Sequence, residues 1–218
     1  MNTKAFEILS LDGRVAVVSG AASGIGRETA RRLAEFGCAV ALLDVDEEMG
    51  RQAAGEIYAA GGRALFVRCD VRSNDDCRLA AEKAMTAFGR VDILFNNAGL
   101  VIRKNTVDCA ESEWDRAVDV MLKGTFLLSR HVIPHMARAG GGSIINMGSG
   151  WALKGGPDAV SYCAAKGGIL NMTRARGRRA ASAMNSASSR PSWAHSLRSK
   201  GVSTSPGQTQ FTRIPCGP

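Results

Sequence analysis

Short apolar runs alternate along this chain with stretches in which apolar residues recur at helical spacing. Apolar runs of about four to eight residues are typical of strands that are buried on both faces of a sheet. Because amphipathic helices separate the runs, the strands are expected to be parallel, with helices covering both faces of the sheet. The predicted strands lie within residues 15–19, 39–44, 64–70, 91–99 and 142–149.

The helical segments complete an alternating order of strands and helices. The first lies between the first two strands and ends at Gly37, a residue suited to the left-handed turn after a helix. This order predicts an α/β fold of the Rossmann type, with one domain and a doubly wound parallel sheet. The later predicted helices span residues 46–60, 73–88, 111–138 and 158–173.

The composition changes near residue 174. Residues 1–173 carry 20 basic and 20 acidic side chains, whereas residues 174–218 carry 8 basic side chains and no acidic one, with nine serines and four prolines. Apolar side chains are few in residues 174–218, and their burial cannot offset an ordering cost of about 1–2 kcal/mol per residue. We therefore predict a folded domain over residues 1–173 and a basic, irregular tail over residues 174–218, without a strand.

The totals also bear on partners and location. The net charge of +8 lies in the tail, which offers only Trp193 and Phe211 for stacking on bases, so a nucleic-acid partner is not favoured. The six cysteines form no CxxC pair and no zinc-ligand spacing with histidine, so reduced thiols and no metal are expected. Neither a signal peptide nor a run of ~20 apolar residues is found. The sequence predicts a soluble, cytoplasmic protein without a membrane partner.

A glycine-rich turn follows the first predicted strand in "VVSGAASGIGRE". Gly20, Gly24 and Gly26 would let backbone amides and a helix N-terminus approach a pyrophosphate, although a tight turn alone also accounts for glycines. Asp44 ends the second strand, where a carboxylate can accept hydrogen bonds from the ribose of an adenosine; the alternative is a helix cap or a surface acid. Asp44 would repel a 2′-phosphate and Ser23 offers no compensating charge, so NAD is favoured over NADP.

Together with "NNAG" at 96–99 and "SYCAAK" at 161–166, this glycine spacing resembles the short-chain dehydrogenase/reductase family over residues 11 to about 173. The resemblance implies a dinucleotide-binding domain in residues 1–173. It also implies an NAD-dependent oxidoreductase that interconverts a secondary alcohol and a ketone by hydride transfer. Family members pair through the helices that correspond to 111–138 and 158–173, so a homodimer or homotetramer is expected.

The resemblance assigns the chemistry to three residues. Ser149 would hydrogen-bond the substrate oxygen, Tyr162 would move the proton, and Lys166 would bind the nicotinamide ribose and stabilise the phenolate. Tyr162 and Lys166 are one helical turn apart and so lie on the same helix face. The cofactor-binding residues implied are Gly20, Ser23, Gly24, Ile25, Gly26, Asp44, Asp70, Val71, Asn97, Ala98, Gly99, Tyr162 and Lys166.

The chain departs from the family pattern in two places. Met121 stands where the family has an asparagine that helps to hold water in a proton relay; core filling beside Val118, Leu122 and Phe126 is the structural interpretation. The family's sixth and seventh strands are expected to be missing or replaced, which would leave an open sheet edge.

Two alternatives to the active enzyme remain, together with one hypothesis about the tail. A non-catalytic or truncated dinucleotide-binding protein is the first, and a nucleic-acid-binding tail is the weakest. A change of reading frame near residue 174 is a hypothesis for the tail itself, with a divergent terminus as its alternative. The Ser-Pro-Gly at residues 205–207 is interpreted as an accidental match to the family's turn over nicotinamide.

Overall fold

A sheet of six strands organises the part of the chain that this computed structural model describes, residues 9–186 and 210–214, with side chains as far as residue 175. The strands are β1 Val15–Ser19, β2 Ala39–Asp44, β3 Ala64–Arg68, β4 Ile93–Asn96, β5 Gly142–Asn146 and β6 Gln210–Ile214. Their order in the sheet is β3-β2-β1-β4-β5-β6, and the first five are parallel.

Helices connect the parallel strands, and two of them begin at side-chain caps. Asp46 and Ser73 accept hydrogen bonds from the backbone amides of Met49 at 3.0 Å and Asp76 at 3.2 Å. The helices are α1 Gly24–Glu35, α2 Glu47–Ala59, α3 Asn74–Phe88, α4 Glu111–Val118, α5 Gly124–Arg138, α6 Trp151–Lys154 and α7 Val160–Ser186, and a π-helical segment, Asp119–Lys123, joins α4 to α5.

Apolar side chains pack on both faces of the sheet. In β1, Val17 belongs to the core that contains α3 and α5, whereas Ala16 and Val18 belong to the core that contains α1 and α2. All three side chains are fully buried, as expected for a strand between two helical layers. The predicted doubly wound parallel sheet is confirmed.

The strand order places a crevice at one end of the sheet. The chain runs outward from β1 to β3, returns to β4 beside β1, and then continues in the opposite direction to β5. At such a reversal the loops after the two central strands diverge and leave room for a ligand at their carboxyl ends.

Asp92 joins the two central strands at the other end of the sheet. This residue is 5% exposed and accepts hydrogen bonds from Arg14 at 2.8 Å, from Arg90 at 2.6 Å and from the backbone amide of Val15 at 3.0 Å. Burial alone would raise the pKa of Asp92, but these hydrogen bonds outweigh it and hold the pKa below its usual value. The carboxylate therefore fixes β1 against β4.

The helix predicted for residues 111–138 contains a register change. The π-helical segment adds a residue to one turn, so side chains that follow it shift around the helix axis. Phe126, predicted to lie on the buried face with Val118 and Leu122, is 45% exposed, and that prediction is wrong. Met121 itself is fully buried.

The C-terminal helix is longer than the sequence predicts. The expected end is residue 173, but α7 continues to Ser186. Arginine, alanine and methionine in this stretch have high helix propensity even though their order gives no apolar face. The expectation of an irregular tail is therefore wrong for residues 174–186.

The sequence analysis predicts no strand in the tail, and that expectation is also wrong. Residues Gln210–Ile214 pair antiparallel with β5, with Arg213 opposite Ser143. Phenylalanine, threonine and isoleucine favour β structure, and the free edge of β5 offers backbone groups to pair with. The expected open edge is thus covered by β6. Residues 187–209, with the Ser-Pro-Gly motif, and residues 215–218 lie outside the described part of the chain.

Three further features concern only the described residues. Among them, no helix combines the length and the apolar character needed to cross a membrane. Nor do three His, Cys, Asp or Glu side chains come together there as metal ligands would. Their cysteines are free thiols: Cys38, Cys69, Cys77, Cys109 and Cys163.

Candidate active site

A crevice of about 450 Å³ opens at the carboxyl ends of the central strands, where the strand order reverses. All the predicted site residues except Gly26 and Ser149 line it. The lining residues are Gly20, Ser23, Gly24, Ile25, Asp44, Val45, Cys69, Asp70, Val71, Asn97, Ala98, Gly99, Leu100, Val101, Met121, Met147, Tyr162 and Lys166.

The glycine-rich turn between β1 and α1 brings backbone amides to one wall of the crevice. Gly20 and Gly24 have φ angles of +64° and +54°, a conformation that favours glycine. Gly26 does not line the crevice; a methyl group there would overlap the Gly20 carbonyl oxygen, so its role is to let α1 begin close to the turn. Ser23, the N-cap of α1, makes no capping hydrogen bond with its side chain. The first amides of α1 are therefore available to an anion.

Asp44 stands at the end of β2 beside this turn. Its carboxylate accepts hydrogen bonds from the backbone amides of Ala22 at 2.9 Å, Val45 at 2.8 Å and Asp46 at 3.2 Å. Asp46, and not Asp44, is the N-cap of α2. A carboxylate has about four acceptor positions, so the oriented side chain keeps one, on Oδ2, for a hydroxyl group of a ligand.

The segment after β3 adds Asp70 and Val71 to the wall. Both oxygens of Asp70 accept hydrogen bonds from Arg72, and these bonds are the main cause of the lowered pKa of Asp70. Val71 is 7% exposed and packs against Gly124, where a methyl group would lie 2.7 Å from the Val71 Cγ2 atom. This part of the crevice offers an apolar surface beside a neutralised carboxylate.

Asn97 ties the loop after β4 to the glycine-rich turn. Its side-chain amide donates to the carbonyl oxygens of Ser19 and Gly20, both at 3.1 Å. The Ser19 hydroxyl oxygen accepts from the backbone amides of Asn97 and Ala98, also at 3.1 Å. A side chain at Gly20 would come within 2.9 Å of the Ala98 Cα atom. The two loops therefore form one rigid wall.

Tyr162 and Lys166 occupy the opposite wall, on α7. The Lys166 ammonium lies 5.7 Å from the centre of the Tyr162 ring, as the one-turn spacing predicts. Lys166 is 3% exposed and donates a hydrogen bond of 2.7 Å to the Met147 carbonyl oxygen. Burial lowers the pKa of Lys166 from 10.5 to about 8. At pH 7 the side chain is still mainly a cation, held near the phenol.

The third predicted catalytic residue, Ser149, lies in the loop between β5 and α6. Its hydroxyl oxygen accepts a hydrogen bond of 3.2 Å from the backbone amide of Trp151. Ser149 does not line the crevice in this structure, although Met147, two residues earlier, does. The structure thus brings Tyr162 and Lys166 together and leaves Ser149 at the margin.

This arrangement agrees with a comparison of the whole sequence with known families. The pattern described as short chain dehydrogenase matches residues 14–184, which is most of the chain. The chain belongs to the short-chain dehydrogenase family. Members of this family use NAD or NADP.

Individual relatives agree with this family membership. The chain is 42% identical over 162 residues to cis-4-hydroxycyclohexanecarboxylate dehydrogenase from Sinomonas cyclohexanicum, covering 74% of this chain and 65% of that protein. It is 36% identical over 165 residues to cyclopentanol dehydrogenase from Comamonas testosteroni, covering 76% and 66%. The chain therefore spans about two thirds of the length of these relatives.

A solved structure gives the same result for the fold. The crystal structure of a short chain dehydrogenase from Mycobacterium smegmatis superposes with a TM-score of 0.76 at 32% sequence identity. The match covers 79% of this chain and 73% of that one. At this identity and score the likeness extends through the domain that holds the crevice.

Met121 lines the crevice and replaces the asparagine of the family pattern. It packs with Ala117, Ala165 and Ile169 in a small apolar cluster, and its sulfur and Cγ approach Gly99. The Met121 carbonyl oxygen accepts a hydrogen bond of 2.6 Å from the Thr125 hydroxyl. A thioether is at best a weak acceptor, so the wall here is apolar.

Several lining residues are not among those predicted from the sequence. They lie within two positions of predicted residues, after the ends of β2, β3, β4 and β5, where the chain leaves the sheet. Each follows the carboxyl end of a strand near a motif residue, and that position is the signal that could have identified them. These residues are Val45, Cys69, Leu100, Val101 and Met147.

Proposed function

We propose that this chain is an NAD-dependent oxidoreductase that interconverts a secondary alcohol and a ketone. The observation that carries the proposal is that Tyr162 and Lys166 line the same crevice as the glycine-rich turn and Asp44. A proton-transfer group and groups suited to a pyrophosphate and a ribose thus share one site. We take residues 1–173 as the dinucleotide-binding domain.

The crevice fits a dinucleotide in its shape and its donors. The free amides at the start of α1 suit a pyrophosphate, and Asp44 suits a hydroxyl of a ribose. Val71 offers an apolar surface for a base. A methyl group added at Gly20 or Gly26 would overlap neighbouring atoms, so the turn has no room for larger residues at these positions.

The choice of NAD over NADP rests on charge. Asp44 is held beside the turn by three backbone amides, so a 2′-phosphate bound there would face a fixed carboxylate. Among the lining residues the only basic side chain is Lys166, at the opposite wall on α7. No basic side chain lines the crevice at its Asp44 end, because Arg68, opposite Asp44 in the β2–β3 register, is not among the lining residues.

The chain's own residues would handle the proton. In oxidation, the Tyr162 oxygen takes the proton of the substrate hydroxyl, and in reduction it returns a proton to the carbonyl oxygen. The Lys166 cation lies 5.7 Å from the centre of the Tyr162 ring and can also hold a ribose hydroxyl. Ser149 would orient the substrate oxygen once its own hydroxyl turns toward the crevice. The nicotinamide, when bound, accepts or supplies the hydride.

Two exposed aromatic residues support an oligomer of the kind the family forms. Trp114 on α4 is 38% exposed and Phe126 on α5 is 45% exposed. Large apolar side chains left on one helical layer favour burial against a second copy. We propose a homodimer or homotetramer that uses α4, α5 and α7, in a cytoplasmic enzyme acting on a small molecule.

One observation favours the second candidate, a non-catalytic dinucleotide-binding protein. Met121 is fully buried in an apolar cluster and carries no hydrogen-bond donor. A proton relay that needs a polar side chain at this position could not run through it. Binding of the dinucleotide without turnover would be the result.

Formation of NADH by the full-length chain separates the two candidates. The alcohols to test first are those in the names of the relatives, cis-4-hydroxycyclohexanecarboxylate and cyclopentanol. We expect NADH to form with NAD⁺ and an alcohol, and faster than NADPH forms with NADP⁺. Tight NADH binding together with no turnover on any secondary alcohol would favour the non-catalytic protein.

A further inference from the structure

A cation, an indole and the Tyr162 phenol form a chain of contacts that begins in the crevice at Tyr162 and continues outside its lining through Trp151 to Arg103. The Arg103 guanidinium carbon lies 4.6 Å from the centre of the Trp151 ring. The Trp151 ring meets the Tyr162 ring edge-on, with 5.8 Å between the centroids and an angle of 88° between the planes. From this juxtaposition we propose that Arg103 binds a carboxylate on the substrate whose hydroxyl or carbonyl lies at Tyr162.

The loop that carries Arg103 is fixed to the helix that carries Tyr162. Lys104 forms a parallel bridge with Ala159, and the Val160 amide donates a hydrogen bond of 3.2 Å to the Lys104 carbonyl oxygen. Earlier in the same loop, Leu100 and Val101 line the crevice. Arg103 therefore lies on a segment that begins in the crevice and ends at the start of α7.

The Trp151 ring also packs against Gly156. A methyl group at Gly156 would overlap the atoms of the indole ring, so this glycine leaves the space that the ring occupies. The indole thus separates the guanidinium from the phenol by one ring. The two contacts together put the guanidinium carbon within about 10 Å of the centre of the Tyr162 ring, so a substrate whose carboxylate is several bonds away from its carbinol carbon can reach both groups.

The charge of Arg103 is not neutralised by the described part of the protein. No carboxylate of a described residue lies within 4.0 Å of the basic groups of Arg103, Lys104 or Lys154. Elsewhere on the surface, exposed arginines do pair in this way, as Arg51 does with Glu47 at 2.6 Å. The Arg103 side chain also makes no hydrogen bond to a described residue, so its fork of N–H donors is free for a carboxylate.

The proposal rests on the proposed function for its choice of reaction, and it adds that the substrate is a hydroxy or keto acid. An uncharged alcohol would meet the same phenol but would leave the guanidinium without a partner. The preference for a hydroxy acid over an uncharged alcohol should therefore appear in KM, because the carboxylate contact is made in the ground state as well as in the transition state.

The test compares cis-4-hydroxycyclohexanecarboxylate with cyclohexanol in the wild type, Arg103→Gln and Arg103→Lys. Arg63→Gln is the matched control, since Arg63 also places its guanidinium over an aromatic ring, that of Phe88 at 5.4 Å, and precedes β3, at the opposite end of the sheet from the crevice. We expect the wild type to prefer the acid. Arg103→Gln should raise KM for the acid about five- to twentyfold, with kcat and the values for cyclohexanol little changed.

The remaining variants and outcomes decide the proposal. Arg103→Lys should retain part of the preference, because the charge stays while the fork is lost. Turnover of both alcohols with equal KM, unaffected by Arg103→Gln, would overturn the carboxylate site and leave the proposed function standing. An effect of equal size in Arg63→Gln would also overturn it.

If neither alcohol is turned over, the reaction is decided by the wider screen of secondary alcohols, and binding tests the carboxylate site by itself. Titration calorimetry of the full chain with cyclohexanecarboxylate in the presence of NADH is the measurement. Binding that weakens in Arg103→Gln and persists in Arg63→Gln supports the carboxylate site. No binding, or equal binding in all three proteins, overturns it.

Discussion

The Lys166 ammonium donates a hydrogen bond of 2.7 Å to the carbonyl oxygen of Met147. This contact joins α7, which carries Tyr162, to the loop after β5, which carries Ser149. The cation is almost completely buried, and its pKa is lowered to about 8 by that burial. A charge so placed costs stability and is expected to be retained for function.

Replacement of Lys166 by methionine should stabilise the protein at neutral pH. The folded state binds the Lys166 proton more weakly than the unfolded state, whose pKa is 10.5, so below pH 8 the burial cost is fully present. We expect Lys166→Met to raise the free energy of unfolding by about 3 kcal/mol at pH 7. Urea denaturation measures the difference.

The same pair of proteins tests the sign of the pH dependence. Between pH 8 and 10.5 the unfolded chain binds more protons than the folded one, so wild-type stability from this group rises with pH. The advantage of Lys166→Met should shrink toward zero over that range. Lys154→Met, at an exposed site, should show no such change. A difference that does not vary with pH would contradict a buried cation.

Asp44 should decide the choice between the two dinucleotides. Asp44→Ala removes the fixed carboxylate, so binding of NADPH should strengthen relative to NADH by about tenfold. Asp46→Asn removes the same charge two residues away and keeps a good helix cap, so it is the matched control. Fluorescence titration with both dinucleotides gives the ratio. Tighter binding of NADPH than NADH by the wild type would contradict the assignment.

Met121 should limit turnover. Asparagine at this position would place an amide donor and acceptor on the wall that also holds Lys166. We expect Met121→Asn to raise kcat several-fold while it lowers the free energy of unfolding by about 1–3 kcal/mol, because a polar group enters an apolar cluster. Met121→Leu keeps the apolar volume and should leave kcat unchanged. Equal kcat in both variants would show that no relay depends on this position.

The parallel sheet and most of the crevice could be predicted from local patterns. The runs that become β1 and β2 are buried on both faces, and a continuous run of apolar residues is enough to predict such a strand. The turn at Gly20 and the pair Tyr162 and Lys166 are short motifs whose spacing fixes their geometry. Such features depend on neighbours in sequence.

Features that depend on distant contacts could not be predicted. Strand β6 exists because the edge of β5 is available to it, and no pattern within Gln210–Ile214 specifies that partner. The π-helical segment places Phe126 outside although a regular helix would bury it. Arg103 meets Trp151 through the fold, across 48 positions in sequence, and neither residue belongs to a motif.

The most direct measurement of the central claim is turnover and NADH binding in Tyr162→Phe. Phenylalanine keeps the ring that packs edge-on against Trp151 and loses only the hydroxyl group. Tyr58→Phe is the control, because Tyr58 is the other tyrosine of the chain and is 75% exposed on α2. The account predicts that Tyr162→Phe lowers kcat by about 100-fold or more while NADH binds as in the wild type, and that Tyr58→Phe changes neither. Wild-type turnover in Tyr162→Phe would contradict it.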